Sequence, residues 1–216
     1  LQTDAQGSEV LFKWQGEKVA AFLPVVGKYN LYNAMGAMLV PLAKGSLLSE
    51  IAPLLESLPQ VPGRLERVEN KAGFSVFVDF AHTPDALEKV IETLRPLTEK
   101  RLITLFGCGG DRDSLKRPLM GRAASSSDYL IVTSDNPRSE NPEVICREIE
   151  AGILNCPYSV IIDRKAAIHF ALNMLQKGDL LLIAGRGHES VQIVGKQSLP
   201  FHDPSVASEI CQELFV

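Results

Sequence analysis

The chain has 216 residues, enough for one large domain or for one domain plus part of another. Its 45% apolar content is that of a globular protein, and 26 acidic against 22 basic residues give a net charge of -4, which argues against a nucleic-acid partner. No apolar run is long enough to span a bilayer, and no basic stretch with an apolar core behind it marks a signal peptide, so neither a membrane nor an export role is expected. Cys108, Cys146, Cys156 and Cys211 are scattered without a CxxC pair, which gives no zinc site and no disulfide framework and points to a reducing cytoplasm.

In chain order, Val10 to Lys13 and Lys18 to Leu23 read as two strands around the turn Trp14-Gln15-Gly16-Glu17. A helix is expected to start at Asn30 or Asn33, since Asn is a good N-cap, and to run to about Leu42. A second helix is expected over Leu47 to Glu56, started by Ser46 and stopped before Pro59. Gln60-Val61-Pro62-Gly63 is a Pro/Gly connector, and the domain boundary is placed there, giving units 1–62 and 63–216.

Beyond the connector, strands and helices alternate, the pattern of an α/β sheet. Strands are expected over Phe74 to Val78, Leu102 to Phe106, Tyr129 to Thr133, Ser159 to Ile162 and Leu180 to Ala184. Helices are expected from Pro84 to Leu97, Lys116 to Ser125, Pro142 to Gly152, Lys165 to Gln176 and Pro204 to Leu214. Val191 to Val194 and Gln197 to Phe201 read as an edge hairpin around Gly195-Lys196. Strands joined through helical crossovers run parallel, so their following loops share one carboxyl edge, where ligands bind in open α/β sheets. Those loops are Asp79 to Thr83, Gly107 to Asp113, Ser134 to Arg138 and Gly185 to Glu189.

No GxxxxGK[ST] phosphate loop and no strict GxGxxG is present, and His188-Glu189 lacks the second His of HExxH. The loops instead offer fixed charge of both signs. An Arg fork grips a carboxylate through two parallel bonds, and Asp or Glu holds an ammonium. Arg112, Arg138, Asp135 and Glu189 therefore fit a zwitterion such as a free amino acid, with Asn136 and Pro137 adding a rigid amide. The competing view is that these are solvated surface pairs. Asp79 suits a ribose hydroxyl or a metal-bound water, and His82 a nucleotide; alternatively Asp79 opens a turn and His82 caps the following helix. Arg64 suits a phosphate or open solvent. His169 reads as packing, and Cys108 as a small buried residue rather than a nucleophile.

The runs Val61 to Val68 and Val78 to Leu87, with Gly107 to Pro118, Asp135-Asn136-Pro137-Arg138 and Gly185 to Glu189, resemble the carboxyl-terminal domain of the Mur ligases, specifically the diaminopimelate-adding type. The asparagines of Tyr29 to Ala34 resemble the adenine-side motif that ends the family's central domain. The resemblance implies a Rossmann-like, mostly parallel α/β sheet with helices on both faces, preceded by a small α+β remnant of the central ATPase domain. It implies ATP-dependent addition of meso-diaminopimelate to UDP-MurNAc-L-Ala-D-Glu, with Mg2+, in the cytoplasm. By the same resemblance Arg112, Asp135, Asn136, Arg138, Gly185 and Glu189 hold the amino acid, and Asn30, Asn33, Arg64, Asp79 and His82 face ATP. The family's phosphate loop, carbamylated lysine and UDP-sugar domain have no counterpart in these residues. The implied chain is thus a part of a larger enzyme, inactive alone, with a hinge near Pro62-Gly63. The rival readings are a folylpolyglutamate-type or D-alanyl-D-alanine-adding ligase, against which the Asp-Asn-Pro-Arg loop speaks, and a non-catalytic amino-acid-binding module.

Overall fold

The computed structural model describes residues 2–215. It divides the chain into two compact units, Leu1–Val61 and Pro62–Val216.

In the first unit, β1 (Gln2–Thr3), β2 (Ser8–Trp14) and β3 (Glu17–Leu23) form an antiparallel sheet in that order. Trp14 pairs with Glu17 across Gln15 (φ 44°) and Gly16 (φ 90°). Two positive φ angles in a two-residue loop match the right-handed twist of the flanking strands. Phe12, Ala21 and Leu23 pack against Leu31, Ala34, Met38 and Leu42 of helix α1 (Lys28–Ala43). That helix begins before the expected asparagines. Gly27 is its N-cap, while Asn30 sits inside the first turn with Nδ2 donating to the Val26 carbonyl at 2.7 Å. The second expected helix is split. Helix α2 (Leu48–Ile51) gives way to a 3-10 stretch over Ala52–Ser57, because Pro53 has no N–H to continue the α-helical ladder. Leu47, rather than Ser46, is the N-cap, its N–H bonded to the Glu50 carboxylate.

The second unit is built on a six-stranded sheet. Its strands are β4 (Glu66–Arg67), β5 (Ser75–Asp79), β6 (Leu102–Phe106), β7 (Tyr129–Val132), β8 (Tyr158–Val160) and β9 (Leu180–Ala184). Their order across the sheet is β4-β5-β9-β6-β7-β8, parallel throughout except for β4. Every residue of β6 and β9 is buried, as expected for inner strands of a sheet covered on both faces. Val76, Val78, Ile103, Leu105, Leu181 and Ile183 meet Ala167, Ile168 and Leu172 of α6 (Arg164–Asn173) and Ala207 and Ile210 of α7 (Asp203–Leu214). The alternate residues, such as Phe77, Phe106 and Leu182, point to the other face, where α3 (Pro84–Leu94), α4 (Lys116–Ala124) and α5 (Pro142–Glu150) pack side by side.

Three local departures have clear causes. The helix expected through Leu97 turns 3-10 at Arg95–Leu97, where Pro96 removes a donor. β4 has only two residues and no apolar run to announce it. The hairpin β10 (Val191–Val194) with β11 (Gln197–Pro200) is not an edge of the main sheet. It forms its own two-stranded sheet, with a parallel bridge between Val194 and Arg138.

The sheet order fixes where a ligand can sit. The chain passes from β5 to β6 and leaves one position between them, which β9 later fills. Strand order thus reverses at β9, and the loops after β5, β6, β7 and β9 all leave one carboxyl edge around that switch point.

Candidate functional site

A cleft of about 400 Å³ opens at this edge. Arg112, Asp135, Asn136, Arg138, Gly185 and Glu189 all line it, and so does His82. Two other concavities, about 570 Å³ beside Lys71 and Phe215 and about 590 Å³ on β2 and β3, are larger but gather no comparable set of opposed charges. Chemistry, not size, singles out the cleft.

The loop after β6 and the loop after β7 are joined by a backbone bond and by a bond from a side chain. Gly110 N–H donates to the Asn136 carbonyl at 2.9 Å, and Arg138 Nη1 donates to the Gly110 carbonyl at 2.7 Å. A Cβ on Gly110 would stand 1.9 Å from the Pro137 carbonyl oxygen, so only glycine fits. Among the described residues, hydrogen bonds hold only Nη1 of the Arg138 fork, and Arg138 lines the cleft. Arg112 is exposed and its Nη1 donates to the Asp111 carbonyl at 3.2 Å. Lys116 lines the cleft and donates to the His82 carbonyl at 2.9 Å, joining the β5 loop to α4.

Asn136 is less available than its sequence context suggests. Its Oδ1 accepts from Arg186 Nη1 at 3.0 Å and from Ile193 N–H at 2.8 Å, and its Nδ2 donates to Glu189 Oε2 at 2.8 Å. Its acceptor is thus bonded within the protein, which makes the amide rigid as expected, and its donor holds Glu189. Asp135 is buried, with Oδ1 taking the Asn136 N–H at 2.6 Å. Burial raises its pKa above the usual carboxylate value, and Arg164 and Arg186 oppose that rise. Gly185 has φ +110°, and a Cβ there would lie 2.9 Å from Asp135 Oδ2. Its lack of a side chain leaves room for that carboxylate.

The residues expected to face ATP fall in two places. Asn30 and Asn33 belong to α1 of the first unit. Arg64, Asp79 and His82 surround the end of β5. Asp79 is buried, and its two oxygens accept Leu65 N–H and Ala81 N–H, each at 2.8 Å; burial raises its pKa. Arg64 lies over the Phe80 ring at 5.3 Å, and the His82 and His188 rings stand 4.6 and 5.3 Å from the same ring. His82 does not cap the helix; Thr83 does.

Sequence reasoning missed three buried arginines. Arg164 pairs with Asp203 through two bonds of 2.8 and 2.7 Å and reaches the Ser134 and Ala184 carbonyls, binding the ends of β7 and β9. Arg186 joins Asn136 to the Val191 and Phe201 carbonyls, which fixes the hairpin beside the cleft. Arg117 bonds Glu140 and Glu148. Each is 1% exposed or less, and an arginine read from sequence defaults to the surface. Cys108 lines the cleft, but burial pushes its thiol pKa up to about 12, so it is no nucleophile at neutral pH.

Residues 63–187 match the family described as Mur ligase, glutamate ligase domain. The chain belongs to the Mur ligase family. It is 43% identical over 218 residues to UDP-N-acetylmuramoyl-L-alanyl-D-glutamate--2,6-diaminopimelate ligase 1 of Clostridium acetobutylicum, covering 100% of this chain and 45% of that protein. The ligase of the same description from Syntrophomonas wolfei is 44% identical, over 97% of this chain and 44% of its own length. A solved diaminopimelate ligase structure overlays on this Mur ligase chain with a TM-score of 0.76 at 34% identity, covering 97% of this chain and 44% of the other. A folylpolyglutamate synthase from Thermotoga maritima overlays at 0.64 with 19% identity, which is likeness of fold alone. This Mur ligase chain spans less than half the length of the curated relatives it matches.

Proposed function

We propose that this chain receives the incoming amino acid in an ATP-dependent ligase that joins meso-diaminopimelate to UDP-N-acetylmuramoyl-L-alanyl-D-glutamate in peptidoglycan synthesis, in the cytoplasm. The observation that carries the reading is the convergence of Arg112, Arg138, Asp135 and Glu189, from three separate loops, on one cleft at the switch point of the sheet. Meso-diaminopimelate has a carboxylate and an ammonium at each end, and Arg112, Arg138, Asp135 and Glu189 set two forks and two acids among the charges that line the cleft, beside Asp113 and Lys116.

The reaction class is amide formation through an acyl phosphate. ATP phosphorylates the terminal carboxylate of the nucleotide substrate, the amine of the amino acid attacks, and phosphate leaves. The part played by this chain is positioning: it holds the nucleophile so that the amine meets the activated carbonyl with little entropy left to lose. Arg138 and Arg112 fix the carboxylates, and Glu189, aimed by Asn136, fixes an ammonium. Asp135 and Gly185 complete the wall. Arg64, Asp79 and His82 of the second unit, and separately Asn30 and Asn33 of the first, are assigned to ATP, and the Arg64–Phe80–His82 surface suits a nucleotide carrying phosphate. The phosphate loop and the UDP-sugar site are assigned to the portion of the relatives that this chain does not cover. Mg2+ is likewise assigned mainly to the portion of the relatives that this chain does not cover.

Lysine lacks the distal carboxylate of diaminopimelate. Leaving Arg138 unpaired in a closed site would cost about 1–3 kcal/mol, enough to favour diaminopimelate strongly. In the full-length enzyme, Arg138→Ala should raise KM for meso-diaminopimelate about a hundredfold while KM for ATP stays within about twofold. An unaltered amino-acid KM would sink the assignment.

A further inference from the structure

We infer that Arg117 and Glu140 form a positioning pair that sets the spacing between Arg112 and Arg138, and so selects the length of the amino acid; this rests on the proposed amino-acid site. Arg117 lies in the first turn of α4 and is 1% exposed, yet it does not line the cleft. Its guanidinium grips both oxygens of Glu140, Nη1 to Oε2 at 2.9 Å and Nη2 to Oε1 at 2.8 Å. Nη1 also reaches Glu148 Oε2 at 2.6 Å, and Nη2 the Gly109 carbonyl at 3.4 Å.

The same Glu140 carboxylate accepts the backbone N–H of Asp111 at 2.5 Å. Asp111 answers across the gap: its carboxylate accepts Ser139 Oγ at 2.6 Å and Ser139 N–H at 3.2 Å. Asp111 directly precedes Arg112, and Ser139 directly follows Arg138. Asp111 and Arg138 both hold φ at 52°, a left-handed setting that favours glycine and that a non-glycine residue keeps only when its surroundings impose it. The two forks therefore stand on a closed clasp of Arg117, Glu140, Asp111 and Ser139. Only a planar guanidinium bridges two carboxylates and a carbonyl in this way; lysine has one point of charge.

Glu148 supplies the control. It bonds the same guanidinium from α5 and, among the described residues, hydrogen-bonds to neither loop with its side chain. If Arg117 only held α4 against α5, losing Glu148 and losing Glu140 would act alike. In the full-length ligase, Glu140→Ala should raise KM for meso-diaminopimelate at least about tenfold, leave KM for ATP within about twofold, and narrow the preference over lysine. Glu148→Ala should lower the melting temperature without moving either KM. Ser139→Ala, a milder break on the exposed side of the clasp, should raise the amino-acid KM about threefold and keeps the test open if Glu140→Ala fails to fold. Equal effects of Glu140→Ala and Glu148→Ala on both KM values would overturn the inference, as would an amino-acid KM unmoved by Ser139→Ala. Arg138→Ala runs beside them as the reference. If it raises the amino-acid KM and the clasp variants do not, the inference falls and the site reading stands; if none of them does, both fall.

Discussion

Asn136 carries more of the site than any other single residue, although it presents little of itself to the cleft. One amide links Arg186, the hairpin backbone at Ile193 and the carboxylate of Glu189. Asn136→Asp keeps the shape but sets a second carboxylate against Glu189, so amino-acid binding in the full-length enzyme should weaken about tenfold or more. Kinetics with the amino acid varied would read this directly. Gly110→Ala should act on the same binding step, because its Cβ must push Pro137 and with it Arg138. The titration of the clasp gives a further test. Hydrogen bonds from Ser139 hold Asp111 below its ordinary 3.8, and those from Arg117 hold Glu140 below its ordinary 4.5. A carboxylate whose folded pKa is depressed stabilises the fold above its unfolded pKa and stops doing so as pH falls through the folded value. Glu140→Gln should therefore melt lower than the parent at pH 7, with the gap closing below about pH 4. Asp79, raised by burial, works in the opposite sense and favours folding as acid is added.

At the scale of elements, the long buried strands and the amphipathic helices were legible from their apolar periods. Leu180–Ala184 matches the expected strand at both ends. What lacked a sequence signal was short or held by tertiary contacts. β4 has two residues, and the β10–β11 hairpin is placed by Arg186 and Asn136 rather than by strand pairing with the main sheet. The charged loops could be assigned to one edge because parallel strands leave no other choice. The buried Arg164, Arg186 and Arg117 could not, since nothing local distinguishes an arginine that faces water from one that replaces it. Arg164 and Asp203, both 0% exposed in their side chains, lock α6 to the start of α7. Arg164→Ala would remove both guanidinium bonds to the buried Asp203, with Arg186 3.8 Å away, and should cost about 3–5 kcal/mol, measured by chemical denaturation. Replacing both by apolar residues of similar size should cost much less.

At the scale of the whole chain, the two units have separate cores, with Phe12, Leu23 and Met38 in one and Val76, Leu105 and Ile183 in the other. Gly63 belongs to the second: its carbonyl accepts the Phe80 N–H at 2.9 Å, and its own N–H donates to Glu66 at 2.7 Å. Residues 62–216 produced alone should therefore melt in one cooperative transition, checked by calorimetry. The first unit carries another burden. The outward face of α1 exposes Tyr29, Tyr32, Met35, Leu39 and Val40, so residues 1–61 alone should self-associate in sedimentation experiments.

The strand order has a consequence for how the second unit comes into being. β5 and β6 never touch; what joins them is β9, made about a hundred residues after β5. In chain order β9 is the last strand of this sheet, and without it the facing edges of β5 and β6 have no partner. Gly185 and Glu189 follow directly from that strand, so the cleft's last wall is placed only when the middle of the sheet is filled.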